Sequence, residues 1–276
     1  MANFAVKCVN SWSELTKAIE ALEVKGRWIF RGQAKDWPLA TSLERALGGW
    51  KIELSHAPGI EHQLVREFKR KYDGEDGYLA ERDTLYCLTL MQHHGAPTRL
   101  LDCTYSPFVA AQFAIGEGST SAVLWCVNAS WCHQVAEKVV GKKSVALRNI
   151  DQDRDDTSFT PLFMSKAPKK FVLPENPMRL SHRLIIQQGV FLCPGDISDT
   201  FINNLMDLPG YDSEKNILKV QLAMSRNNLL EAAAQLRRMN VDSATLFPGL
   251  DGFARSLKER LPHYHDYAKR SVGLPR

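Results

Sequence analysis

At 276 residues, 44% of them hydrophobic and 24% charged, the chain holds enough apolar material for a sizeable core, which excludes an intrinsically disordered protein. The formal charge of +4 permits an anionic partner, nucleic acid included, without pointing to one. Six cysteines scattered without a CxxC pair argue against a disulfide framework or a structural zinc; with no bilayer-length apolar run and no signal-peptide pattern at Met1 to Asn10, a cytoplasmic protein with no membrane partner is expected.

In chain order, Ser11 and Glu14 have capping-box spacing, and Trp12, Leu15, Ile19 and Leu22 recur at helical intervals up to Gly26. Trp28-Ile29-Phe30-Arg31-Gly32-Gln33 then reads as an apolar strand ending in an arginine and a glycine. A planar guanidinium there suits bidentate contact with phosphate or carboxylate, and a glycine lets backbone and ligand approach closely, so this is an expected anion-binding corner. Leu64, Phe68 and Tyr72 mark a second helix carrying the basic run Arg66, Lys69, Arg70 and Lys71. Asp73 to Gly77 is an exposed turn, and a third helix is predicted from Leu79 to His93, ended by Gly95 and Pro97.

The block from Gln92 to Pro107 crowds His93, His94, Arg99, Asp102 and Thr104 between two helical patterns. Ser106-Pro107 predicts the cap and first turn of a helix reaching about Ala114, with Phe108, Ala111 and Ile115 inward. Ala122 to Val127 reads as a buried strand, Lys142 to Pro177 as a long irregular insertion, and Arg183 to Leu192 as a strand interrupted at Gly189. After Ile217 to Leu222, Ser225 caps a helix bearing Leu229, Leu230, Ala233 and Leu236, and Leu250, Phe253, Ala254 and Leu257 form a last one. The class is α+β, with a main domain over 1–210 and a helical extension over 211–276.

Several chemistries lack their motifs. No P-loop, GxGxxG, GxSxG or HExxH is present, and adjacent histidines on a helix do not face one ion, so no metal site is expected. Structural roles compete for each candidate. Arg31 could pair with a buried acid such as Asp102, Arg99 and Asp102 could form an ion pair, and His93 and His94 could serve the carboxyl end of their helix.

The Phe30-Arg31-Gly32 triplet and the Gln92 to Pro107 block together resemble the FRG-domain family, with further similarity at Gln187-Gln188-Gly189 and Leu246-Phe247-Pro248-Gly249, over roughly residues 25 to 257. Cys103 stands where that family usually has tryptophan. More distantly, the order of features resembles the ADP-ribosyltransferase superfamily, implying a mixed sheet core flanked by helices. On that resemblance Arg31 contacts the pyrophosphate of NAD, Gly32 permits its approach, Thr104 and Asp102 line the nicotinamide side, Gln188 meets ribose, and His93, His94 and Arg99 orient pocket or acceptor. Gln187 and Gln188 occupy the strand where a catalytic glutamate is expected. A carboxylate there stabilises positive charge on the sugar as nicotinamide leaves, whereas a neutral amide only hydrogen-bonds. Either another group, Asp102 or His94, supplies the charge or base, or the pocket binds without reacting. The implied function is ADP-ribosyl transfer from NAD to a macromolecular acceptor, protein or nucleic acid, in the manner of a toxin or antiphage effector with a protein partner or antitoxin. The alternative is a non-catalytic module recognising a nucleotide, a nucleic-acid phosphate or a partner carboxylate.

Overall fold

A computed structural model describes residues 5–23, 27–116, 118, 121–150, 158–207, 210–212, 215–261 and 264. The elements run β1 (Ala5–Val9), α1 (Trp12–Glu23), β2 (Trp28–Gln33), α2 (Ser42–Gly49), α3 (Ala57–Lys71), α4 (Gly77–Arg82), α5 (Thr84–His93), β3 (Leu101–Thr104), α6 (Pro107–Ile115), β4 (Val123–Asn128), α7 (Ala129–Val140), α8 (Lys142–Ile150), α9 (Phe159–Phe163), β5 (Val172–Glu175), α10 (His182–Ile186), β6 (Gly189–Pro194), α11 (Phe201–Met206), β7 (Ile217–Leu222), α12 (Arg226–Arg238), α13 (Ser243–Leu246) and α14 (Leu250–Glu259). The strands form one seven-stranded mixed sheet in the order β1-β7-β4-β2-β3-β6-β5. Only β1 and β7 pair in parallel; the other neighbours are antiparallel. The fold is α+β, and among the described residues no helix is long and apolar enough to cross a membrane.

Alternation along β2 divides the core. Trp28 and Phe30 point to one side, where α1, α6 and α12 cover the sheet, while Ile29 joins the larger cluster on the other side with α5, α7 and α9. Period two therefore sends Arg31 to the Ile29 side and Gly32 to the α6 side. A Cβ built on Gly32 would lie 1.8 Å from the carbonyl oxygen of Ala110 and 2.8 Å from the amide nitrogen of Ala114. Gly32 thus serves the approach of α6 to the sheet, and it lines a cleft as well. Ser106 caps α6 by accepting from the Val109 amide at 3.3 Å, and the alanine-rich body of the helix lies against β2.

The structure departs from the sequence reading in four places. The helix expected over Leu79 to His93 is two, because Asp83 leaves the helical conformation and caps α5 by accepting from the Tyr86 amide at 2.9 Å. Lys142 to Pro177 holds α8, α9 and β5 rather than an irregular insertion. Arg148 there pairs with Glu175 at 2.5 Å, and the rings of Phe159, Phe163 and Phe171 pack against one another at a tilt, so its order comes from tertiary packing. The run Asp151 to Asp156 lies outside the described residues. Arg183 to Ile186 is helical because Ser181 caps it at the Leu184 amide, and the strand starts only at Gly189, against which Leu184 is packed. The boundary near 210 crosses the sheet, since β7 lies between β1 and β4, and residues after 211 are not a purely helical extension. The last helix forms as read, as α14; it buries Gly252 and Ser256 and leaves Leu250, Phe253 and Leu257 exposed.

Arg99 and Glu61 form an ion pair at 2% and 1% side-chain exposure. The Arg99 Nε donates to Glu61 Oε1 at 2.9 Å, and Nη1 donates to the carbonyl of Phe163 at 2.5 Å, so one side chain ties α3 to α9 just ahead of β3. An isolated charge in that setting costs several kcal/mol, and only its partner makes it tolerable.

Two consequences are measurable by chemical denaturation. Gly32→Ala should destabilise the protein by about 3 kcal/mol or more, because helix and strand backbones must separate to admit one methyl group. Glu61→Leu should cost about 3–5 kcal/mol by stranding Arg99, and the double replacement with Arg99→Met should recover most of the loss.

Candidate functional site

β2 and β3 meet at one residue pair, Phe30 opposite Thr104, and part beyond it. Arg31 and Asp102 stand on the diverging ends. The Arg31 Nη1 donates across the gap to the backbone carbonyl of Asp102 at 2.5 Å, while its Nε is buried with no hydrogen-bond partner. A cleft of about 860 Å³ opens at this split. Its cationic lining comprises Arg31 from β2, Arg45 from α2, Arg179 and Arg183 from the approach to and start of α10, and Arg255 from α14. Against these five guanidiniums stand two carboxylates, Asp76 and Asp102. Asp76 is engaged, accepting from the Tyr86 hydroxyl at 3.0 Å with Arg179 3.7 Å away.

Asp102 is held by Gln92. The Gln92 Nε2 donates to Asp102 Oδ2 at 2.7 Å, and its Oε1 accepts from the hydroxyls of Ser42 at 3.0 Å and Thr98 at 2.5 Å. These bonds fix the amide orientation and join α5, α2 and β3. The pairing of Asp102 with Arg99 expected from sequence does not occur, since Arg99 is spent on Glu61, outside the cleft lining. Asp102 faces the cleft as an exposed acid.

The other predicted residues divide. His93 and His94, at the end of α5, both line the cleft with their rings 5.2 Å apart, edge to face. Partial burial, then the neighbouring His94 and Arg183, lower the pKa of His93, so it is neutral at pH 7 and able to accept a proton. Thr104 lines the cleft, but its hydroxyl donates to the Gln187 carbonyl at 2.6 Å and accepts from the Ser106 amide at 3.0 Å. Its side chain is thus committed to joining β3 to the turn before β6. Gln188 does not belong to the lining: it is exposed, sits at φ 47°, and gives its carbonyl to the Tyr105 amide. Gln187 takes the inward place, its Nε2 donating to the Leu246 carbonyl at 2.9 Å. The inward glutamine is one residue earlier because the chain turns at Gln188 instead of running on as a strand.

Cys103 also lines the cleft, yet burial, opposed by Arg31, pushes its thiol up to about 12, which removes it as a nucleophile near neutral pH. Arg45 and Arg183 are both lowered from the ordinary arginine value. For Arg45 the cause is burial and then Arg31; for Arg183 it is burial, with Arg255 adding to the shift, and Asp102 opposes the shift at both. The cleft therefore crowds five guanidiniums around two acids, each already engaged by a neighbour. Among the described residues no cluster of His, Cys, Asp and Glu is placed to hold a metal ion.

Arg45, Arg183, Arg255 and Phe247 had no role in the sequence reading. Arg45 sits in an ordinary amphipathic helix and carries no local signal. Phe247 falls in the Leu246-Phe247-Pro248-Gly249 stretch, and the arginines at 183 and 255 converge on it only in three dimensions.

Residues 26–122 match the family model of the FRG domain. That span contains Arg31, Gly32, Gln92, His93, His94 and Asp102, whereas Arg179, Arg183, Phe247 and Arg255 lie beyond it. No curated protein and no solved structure matches the chain.

Asp102→Asn should preserve the bond from Gln92 while removing a negative charge that acts on Arg45. Affinity for inorganic pyrophosphate, read by calorimetric titration, should rise severalfold, with a melting temperature within about 2 °C of wild type.

Proposed function

We propose that the cleft binds a nucleotide through its pyrophosphate, that NAD is this ligand, and that the protein transfers ADP-ribose to a macromolecular acceptor. The observation that supports this reading most directly is Arg31 Nε, a buried donor without a partner on a residue that lines the cleft together with four further guanidiniums. Buried donors are satisfied in native proteins, and a phosphate oxygen would satisfy this one in charge-assisted form. Arg31 and Arg45 would hold the pyrophosphate, which relieves their mutual repulsion. Phe191 and Leu184, also in the lining, offer apolar surface to a base or nicotinamide ring. NAD, when bound, supplies an ADP-ribosyl group whose leaving group is nicotinamide.

In this reading Asp102, oriented by Gln92, is the carboxylate that stabilises positive charge at the reacting sugar, and His94 or His93 takes the acceptor proton. Neither glutamine fills the place of a carboxylate. Gln187 has its amide tied to Leu246, and Gln188 lies outside the lining. That same observation favours the second reading, a module that binds a nucleotide or a phosphate without turnover.

Purified protein incubated with NAD and cell lysate separates the two readings: release of nicotinamide with labelled acceptor supports transfer, and binding without release supports the module. Arg31→Lys keeps the charge and loses the planar fork, so affinity for NAD should fall roughly tenfold to a hundredfold while circular dichroism is unchanged. Wild-type affinity in that variant, or no NAD binding by folded wild type, refutes the assignment of NAD to this cleft.

A further inference from the structure

We propose that Arg183 and Arg255, seated together against Phe247, form a second phosphate subsite in the same cleft, which receives a phosphate beyond the pyrophosphate held at Arg31. This deepens the nucleotide reading above and rests on it for the first subsite only. Both guanidinium carbons lie 4.8 Å from the centroid of the Phe247 ring. Stacking on an aromatic face immobilises the planar fork while leaving its N–H edges free to donate. Among the described residues neither guanidinium makes a hydrogen bond or an ion pair, and both line the cleft.

The parts that bring these two residues together are held from behind. The Gln187 side chain donates to the Leu246 carbonyl at 2.9 Å, tying the end of α10 to α13. Gly252 lets α14 pack onto the backbone of Phe247, since a Cβ there would lie 1.7 Å from its carbonyl oxygen. At the far end of α14, Glu259 accepts from the Gln112 amide at 2.9 Å and the Ser243 hydroxyl at 2.5 Å. Both side chains are exposed, but the elements that carry them are braced, and a pair of cations on such a frame offers an arriving anion fixed donors. Asp102 acts on Arg183 through space, and Arg255 adds to the positive field there, so an arriving phosphate gains from both guanidiniums. The phosphate can belong to a phosphomonoester on the nucleotide itself or to the backbone of a nucleic-acid acceptor.

Calorimetric titration of inorganic pyrophosphate, NAD, NADP and a short single-stranded thymidylate oligonucleotide into wild type, Arg183→Gln, Arg255→Gln and their lysine counterparts tests the subsite. If the extra phosphate is on the nucleotide, wild type should prefer NADP to NAD by about tenfold, and each glutamine variant should erase that preference with pyrophosphate and NAD unchanged. If it is a nucleic-acid phosphate, NADP should show no preference, and each glutamine variant should weaken the oligonucleotide about tenfold, with wild-type affinity falling steeply as salt rises. Lysine should retain part of either effect, and melting curves identify any variant that fails to fold. The subsite is overturned if both glutamine variants bind NADP and the oligonucleotide as wild type does, or weaken pyrophosphate equally. The outcome is separable from the NAD assignment, because loss of the Arg31 dependence removes that assignment while the response of the oligonucleotide to Arg183 and Arg255 still decides the second subsite.

Discussion

The parting of β2 from β3 beyond a single residue pair is the constraint on which the rest of the site depends. Two strands that stay paired satisfy one another's backbone and leave no room between them; two that separate expose polar groups that something else must meet. Arg31 meets one of them by donating to the Asp102 carbonyl. The opposite face of the same corner is closed by α6, which approaches so nearly that only a glycine is accommodated at position 32. The result is an opening with a rigid floor on one side and a guanidinium suspended across it on the other.

Arginine serves two opposed purposes in this fold. Arg99 and Arg148 are buried, each matched by a glutamate, and each ties together elements distant in sequence. Their charges are neutralised inside the protein, so they contribute order and have nothing left for a ligand. The cleft arginines are the reverse. Arg31 retains an unmet donor, Arg45 lies within the field of Arg31, and Arg183 lies within that of Arg255. Holding like charges close is unfavourable, and around Arg183 and Arg255 the elements that carry them are tied down through Gln187, Gly252 and Glu259. Fixed donors that need not reorganise when an anion arrives are the physical basis of strong anion recognition.

The cleft also joins parts of the chain that differ in their relation to known sequences. One wall comes from the segment that matches the FRG domain, and the other from α10, Phe247 and α14 beyond it. β7, which follows residue 210, occupies an interior position in the sheet. The later part of the chain is therefore built into both the core and the site, and a cut at 210 would remove an interior strand together with one wall of the cleft.

Local signals were enough to determine several features from sequence. The apolar run ending in Arg31-Gly32 is a strand, Ser106-Pro107 starts a helix, and Ser225 caps another. Capping, periodicity and turn chemistry act over a few residues, so they are legible in one dimension. Tertiary structure alone decided which arginine is structural. Arg31 and Arg99 stand in equally conspicuous motifs, and what separates them is Glu61, a residue 38 positions before Arg99 with no local mark of its role. The same holds for Gln187 over Gln188, settled by a left-handed turn, and for Arg183 and Arg255, which meet at Phe247 only after the sheet has closed. Charge pairing depends on distance in space, and spacing along the chain carries no record of it.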